Sequence, residues 1–244
     1  MEWQDDAIVL SASRFGEHDA LLEVMTPQHG RSRGFVKAGM SRRNKAVLQP
    51  GNKLAVSWRS RLETNLGRFQ VELVHSPLGL LISDPARMAA LAAVCAVVQS
   101  TMPERQVHAG VFDALDGYIK LLEAEDGQLT VWGAALARIE LGILAELGYG
   151  LDLTECAATG TKDSLIYVSP KSGRAVSAEA GAPYKGRLLE LPAFLLGEGE
   201  LSAESAIAGL ALTGFFLERN VWIVAGNGQP DARERLIARL TKQN

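Results

Sequence analysis

The chain has 244 residues, 47% of them hydrophobic, enough to bury a substantial core in one large domain or two modest ones. A formal net charge of −3 excludes a uniformly basic polyanion binder, and the acid-rich start MEWQDDAIVL lacks the basic flank and apolar run of a secretory signal. Two cysteines are too few for a disulfide framework and no stretch approaches the roughly 18 apolar residues of a membrane span, so a cytoplasmic protein without membrane contact is expected.

Residues 7–11 and 20–26 are apolar runs of strand length, and the turn Pro27-Gln28-His29-Gly30 sends the chain back as a third strand over 31–38. A polar, basic loop follows. Beyond the second turn cluster, Gln49-Pro50-Gly51-Asn52, residues 53–58 and 66–74 are again strand-like, with β-branched and aromatic side chains. Five short strands in so little chain predict a small closed barrel, for which the five-stranded oligonucleotide-binding (OB) fold is the candidate.

The period changes at Ser83-Asp84-Pro85, where a capping residue precedes a proline and an Ala-rich helix runs to Val98. Val107, Val111, Leu115, Tyr118 and Leu122 form the apolar stripe of a second helix, and Trp132, Leu136, Ile139, Ile143 and Leu147 that of a third. Residues 150–190, richer in Gly, Ser, Thr and Pro, predict an irregular insert with one strand at 165–169. Ser202 caps a further helix reaching about Val221, and Pro230-Asp231 opens the last, with Leu236 and Leu240. The expected fold is therefore α+β in two domains, 1–79 a barrel and 80–244 helical.

Charge follows the same division. Residues 1–80 carry 11 Lys/Arg against 8 Asp/Glu, and residues 81–244 carry 14 against 20. Between Arg31 and Arg68 stand ten basic residues and one acid, Glu63, a local charge of +9. In a strand, Arg31, Arg33, Phe35 and Lys37 share one face. Cations beside an aromatic suit single-stranded nucleic acid, because phosphates attract Lys and Arg while a base stacks on an aromatic face. An inward Phe35 filling the barrel is the alternative, and the pattern does not choose between them. The candidate nucleic-acid contacts are Arg31, Arg33, Phe35, Lys37, Arg42, Arg43, Lys45, Arg59, Arg61 and Arg68.

Other chemistry lacks its residues. A structural zinc site needs four Cys or His ligands, but Cys156 is followed by Thr159 where a paired thiol would stand, and His18, His29, His75 and His108 are scattered. Gly160-Thr161-Lys162 lacks the upstream glycine of a phosphate-cradling loop, and there is no G-x-S-x-G or H-E-x-x-H. Neither a cofactor, a metal nor an enzymatic activity is expected.

With these residues in view, the chain resembles the RecO family of bacterial recombination mediators over nearly its whole length. The resemblance rests on Ala7-Ile8-Val9-Leu10, Arg14-Phe15-Gly16-Glu17-His18-Asp19, Thr26-Pro27-Gln28-His29-Gly30-Arg31, Lys37-Ala38-Gly39-Met40-Ser41-Arg42-Arg43 and Leu48-Gln49-Pro50-Gly51 in one order. It continues through Arg138-Ile139-Glu140-Leu141, Leu147-Gly148-Tyr149-Gly150-Leu151-Asp152-Leu153, Cys156 and Tyr167-Val168-Ser169-Pro170-Lys171-Ser172-Gly173. The resemblance implies an OB barrel, then a helical domain with a zinc-knuckle-like insert, degenerate and metal-free here because only Cys156 of four cysteines is present. It also implies a DNA repair mediator, cytoplasmic and nucleoid-associated. Such a mediator binds single- and double-stranded DNA, anneals complementary strands, engages the acidic C-terminal tail of the single-strand binding protein, and works with RecR to help load RecA. Arg138 matches the family's basic position in the tail-binding groove; its alternative is an intramolecular pair with Glu140 or Glu146. A generic RNA-binding OB protein is the competing reading.

Overall fold

Alternation of inward and outward side chains builds five strands in the first third of the protein: β1 (Glu2–Phe15), β2 (Asp19–Thr26), β3 (Gly30–Val36), β4 (Lys53–Arg59) and β5 (Gly67–His75). The computed structural model describes residues 1–62, 65–124 and 126–243, so Glu63, the lone acid of the basic segment, lies outside the described residues. The strands close into a barrel in the order β1-β2-β3-β5-β4, with β3 and β5 parallel and the other pairs antiparallel. Closure depends on the length of β1. Its first half pairs with β4 and its second with β2, and a bulge between Val9 and Ser11 bends it between the two partners.

Ala7, Val9, Leu22, Val24, Val36, Leu54, Val56, Trp58 and Phe69 fill the barrel. Ile8 and Leu10, on the other face of β1, are buried as well, because a helix packs there. Each fully buried side chain of this kind stabilises by about 1.5–3 kcal/mol. The basic loop after β3 is not all loop: Ser41 accepts from the Asn44 N–H and caps a short helix, α1 (Arg42–Val47), whose Val47 packs on the barrel core.

Helices α2 (Leu78–Leu81), α3 (Pro85–Thr101) and α4 (Ala109–Glu123) share one compact unit with the barrel, Met1–Gly127. Asp84 caps α3 by accepting from the N–H groups of Ala86 and Arg87, as its place before Pro85 predicts. Cys95 of α3 donates its thiol to the Val9 carbonyl, and burial pushes that thiol up to about 12. Val107, predicted on the apolar stripe of α4, instead precedes that helix and is 59% exposed. The reason is the chain's docking on β3: the Arg105 N–H donates to the Arg31 carbonyl beside an isolated bridge between Arg31 and Glu104, which keeps residues 104–106 out of the helix.

The second unit, Gln128–Asn244, is helical around α5 (Leu129–Glu146). Its insert holds β6 (Leu165–Val168), β7 (Ala175–Ser177), the short α6 (Ala178–Gly181) and β8 (Leu189–Glu190), the strands forming a sheet in the order β7-β6-β8. α7 (Ala203–Leu217) begins with a reciprocal Ser202/Ser205 capping box and passes through a π-helical turn at Glu218–Trp222; α8 (Asp231–Gln243) closes the chain. Arg233 of α8 is fully buried. Its guanidinium meets Glu140 of α5 through Nε–Oε1 at 2.6 Å and Nη2–Oε2 at 2.8 Å, while Thr213 of α7 donates to the same carboxylate at 2.5 Å. Gly214 makes the room, since a Cβ there would lie 2.9 Å from the guanidinium. Among the described residues no helix is long and apolar enough to cross a membrane.

Candidate nucleic-acid interface

The tertiary structure divides the ten cations of the basic segment into two sets. Four have carboxylate partners. Arg31 Nη1 bonds Glu23 at 2.7 Å and its Nε donates to the Met102 carbonyl; Arg33 Nε meets Glu104 at 2.9 Å; Lys53 pairs with Asp116; Arg59 pairs with Glu2 at 2.7 Å. Three of these partners, Met102, Glu104 and Asp116, follow the barrel in the same unit, and the carboxylates of Glu104 and Asp116 neutralise Arg33 and Lys53. Lys37, Arg42, Arg43, Lys45, Arg61 and Arg68 are exposed and have no ion pair among the described residues. The free set is what remains to attract phosphate.

Strand pairing sets one of these cations, Arg68, beside an outward aromatic. Arg59, Arg68, Phe35 and Leu21 lie in one cross-strand row over β4, β5, β3 and β2, neighbouring strands being about 4.8 Å apart. Phe35 points outward, not into the barrel: its neighbours Gly34 and Val36 are buried, whereas its ring stacks on Phe15 with centroids 6.1 Å apart and planes at 22°. Phe15 is 43% exposed. Lys37 follows directly, and the Met40 N–H donates to the His18 carbonyl while the Ala38 N–H donates to Asp19. These bonds tie the entry of α1, with Arg42, Arg43 and Lys45, to the β1–β2 turn beside Phe15. Arg14, also exposed and without an ion pair among the described residues, precedes Phe15. Sequence reasoning missed Arg14 and Phe15 because it ended the first strand at residue 11; only the continuation past the bulge carries them to Phe35.

Arg138 stands exposed on α5 of the second unit, with Nη2 donating to the Phe194 carbonyl at 2.6 Å and the guanidinium 5.9 Å from the Phe194 ring centroid. The alternative pairing with Glu140 does not form, since Arg233 holds that carboxylate. In the insert, the Cys156 N–H donates to the Thr161 carbonyl and the Gly160 N–H returns to the Cys156 carbonyl, closing a tight loop. Burial raises the Cys156 thiol, but donors from Ser177, Thr159 and Ala158, including the Ser177 N–H at 3.3 Å, more than offset it and lower the thiol to about 6. Among the described residues no group of three or more His, Cys, Asp or Glu side chains could hold a metal ion, so the four-cysteine zinc set of some resembling proteins does not fit these residues.

Known proteins match over the same two regions. The family models described as recombination protein O N terminal and recombination protein O C terminal match residues 1–77 and 82–222. Among curated relatives, a DNA repair protein RecO of Rhodospirillum centenum is 46% identical over 244 residues, 99% of this chain and 96% of the relative. The DNA repair protein RecO of Mesorhizobium japonicum is 45% identical over 246 residues (100% and 95% of the two chains), and that of Caulobacter vibrioides strain NA1000 43% over 243 residues (99% and 98%).

Proposed function

The chain belongs to the RecO family of DNA repair proteins, and from that premise we propose that it is a mediator that binds single- and double-stranded DNA and anneals complementary strands. The observation that carries this reading is the outward Phe15–Phe35 stack, with Arg68 beside Phe35 in the strand row, together with the exposed Lys37, Arg42, Arg43, Lys45 and Arg61, which like Arg68 have no ion pair among the described residues. Annealing needs no covalent step. It needs relief of phosphate repulsion, which Lys37, Arg42, Arg43, Lys45, Arg61 and Arg68 supply, and a platform on which unpaired bases can rest, which Phe35 and Phe15 supply. Arg31, Arg33 and Arg59 join through exchange of their carboxylates for phosphate, Arg59 most readily because its pair is exposed. We assign these contacts to residues 1–79.

Residues 80–244 we assign to protein partners. Arg138 has guanidinium donors beyond the one given to Phe194, and the apolar surroundings of Phe194 adjoin them, a combination that suits a terminal carboxylate with an apolar last residue. Binding the acidic tail of single-strand binding protein there would raise the local concentration of coated strands around the barrel. With RecR, the protein then helps RecA load at the nucleoid. Titration of labelled single strands, duplex and RNA, together with an annealing assay, tests the proposal. Binding of DNA in preference to RNA with accelerated annealing is expected, and Phe35→Ala should weaken single-strand binding about tenfold. A wild-type protein that neither binds nor anneals DNA at low salt refutes it.

A further inference from the structure

The barrel leaves a stretch of strand edge open beside α1. β3 pairs with β5 only over residues 67–69 and then turns away toward α1, while β5 continues along β4 through Gln70, Val71, Glu72 and Leu73. On the side away from β4, the backbone of residues 70–73 has no hydrogen-bond partner among the described residues. A bulge ends this regular edge: Lys53 faces His75 and Leu54 faces Leu73, so Val74 has no partner on β4. Backbone N–H and C=O groups alternate between the two sides of a strand, so the open edge offers donors and acceptors together.

Between that edge and α1 lies a groove of about 600 Å³, lined by Arg43, Asn44 and Val47 on one side and by Val71, Glu72 and Leu73 on the other. Its floor continues the barrel core. Val47 and Val71 pack on that core, and exposure along the same face of β5 rises from 1% at Phe69 to 42% at Leu73. The helical wall is cationic. Arg42, Arg43 and Lys45 are exposed and have no ion pair among the described residues, and α1 carries no acid. The end of β5 is braced by His75, whose Nε2 meets Glu123 of α4 at 2.6 Å, so the edge is set before a ligand arrives.

We propose that this groove takes an extended acidic segment of a partner protein, which adds to β5 as a further strand, its alternate apolar side chains on Val47, Val71 and Leu73 and its carboxylates toward α1. Three features fix that chemistry. Unpaired N–H and C=O groups side by side are matched by another polypeptide, whereas a nucleic-acid strand would leave the carbonyls facing its phosphates. An apolar floor beneath a strand edge asks for apolar side chains at every second position. Three cations against the single acid Glu72 favour negative charge. A second copy pairing β5 to β5 would have to bring its own α1 against this one, because each α1 stands beside the edge to be paired. The inference goes beyond DNA binding: Arg43 is also among the cations assigned to phosphate, so a bound segment withdraws it from DNA.

The test titrates wild type with a labelled octapeptide of alternating acidic residues and valines, and with the same peptide methylated on every amide nitrogen, which keeps charge and side chains but cannot donate to the edge. The plain peptide should bind about tenfold tighter than the methylated one, with amide hydrogen exchange at residues 70–73 slowed in the complex. Arg43→Glu and Leu73→Asp, both at exposed positions that spare the core, should each weaken the plain peptide about fivefold. Equal affinity for the two peptides, or unchanged exchange at residues 70–73, overturns strand addition. Wild-type affinity in both variants, or failure of wild type to bind either peptide, overturns the assignment of the groove. Sedimentation of wild type as a dimer and of Leu73→Asp as a monomer overturns the peptide in favour of a second copy, and loss of oligothymidylate binding in Leu73→Asp overturns it in favour of DNA.

Discussion

Replacing Arg42, Arg43 and Lys45 together by Ala isolates the electrostatics of the barrel surface. Each phosphate neutralised on a single strand contributes about −0.7 to the slope of log K against log salt. The six cations of the basic segment that have no ion pair among the described residues therefore predict a slope of about −4, and removing the three on α1 leaves about −2. Between 50 and 200 mM salt, a fourfold change, the wild type should lose on the order of 300-fold in affinity and the triple variant on the order of 20-fold. Fluorescence anisotropy with a labelled single strand at four salt concentrations measures both slopes. Lys53→Gln is the internal control, because Lys53 is paired with Asp116 and should leave the slope near that of wild type. A triple variant with the wild-type slope, or a Lys53 variant that flattens it as much as loss of a free cation, would refute the division of the basic segment into paired and free sets.

Arg138→Ala should weaken binding of an acidic tail peptide while sparing DNA affinity; equal peptide affinity in calorimetric titrations removes Arg138 from that role. Arg233→Met leaves the Glu140 carboxylate buried without its partner and should destabilise the protein by about 3–5 kcal/mol in urea, whereas Glu140→Leu combined with Arg233→Met should cost much less. Equal losses in the single and double variants would show the two side chains to be uncoupled. Burial raises the Asp116 carboxyl, but hydrogen bonds from Lys120 and Lys53 outweigh it and hold the group below its ordinary value. Its folded pKa being depressed, it contributes stability above the usual carboxylate range that is lost as pH falls through the lowered value, and Asp116→Asn should flatten acid unfolding in that window. The Cys156 thiol, lowered to about 6, should titrate by ultraviolet thiolate absorbance in mildly acidic solution, while Cys95 stays protonated until strongly alkaline pH. The stability tied to Cys156 is present above the ordinary thiol range and lost as pH falls through about 6, so an unchanged profile in Cys156→Ser would contradict the donors assigned to its sulfur.

Much of the fold was legible because it is local. Turn residues at Pro27–Gly30 and Gln49–Asn52 and period-2 alternation mark β2 to β5 within a residue or two, and Asp84-Pro85 and Ser202 mark the starts of α3 and α7 through their caps. Two local readings failed for reasons of packing. Ser41 and Asn44 nucleate a helix in a stretch whose charge reads as loop, because Val47 finds apolar surface on the barrel. Val107 fits the α4 stripe by spacing, but pairing of residues 104 and 105 with Arg31 keeps the preceding chain out of the helix.

By itself, the sequence determined which residues could be inside or outside each element and that cationic charge is concentrated between Arg31 and Arg68, since periodicity and composition are properties of the chain. Tertiary structure alone decided which cations remain available. Glu104, Asp116 and Glu23 reach Arg33, Lys53 and Arg31 from 71, 63 and 8 residues away, and no count of charges along the chain foretells those partners. Likewise Phe15 and Phe35, twenty residues apart, and Trp3 and His29 become stacks only when β1 bends and the barrel closes. Charge is inherited from composition, but its availability depends on distance in space, which folding sets.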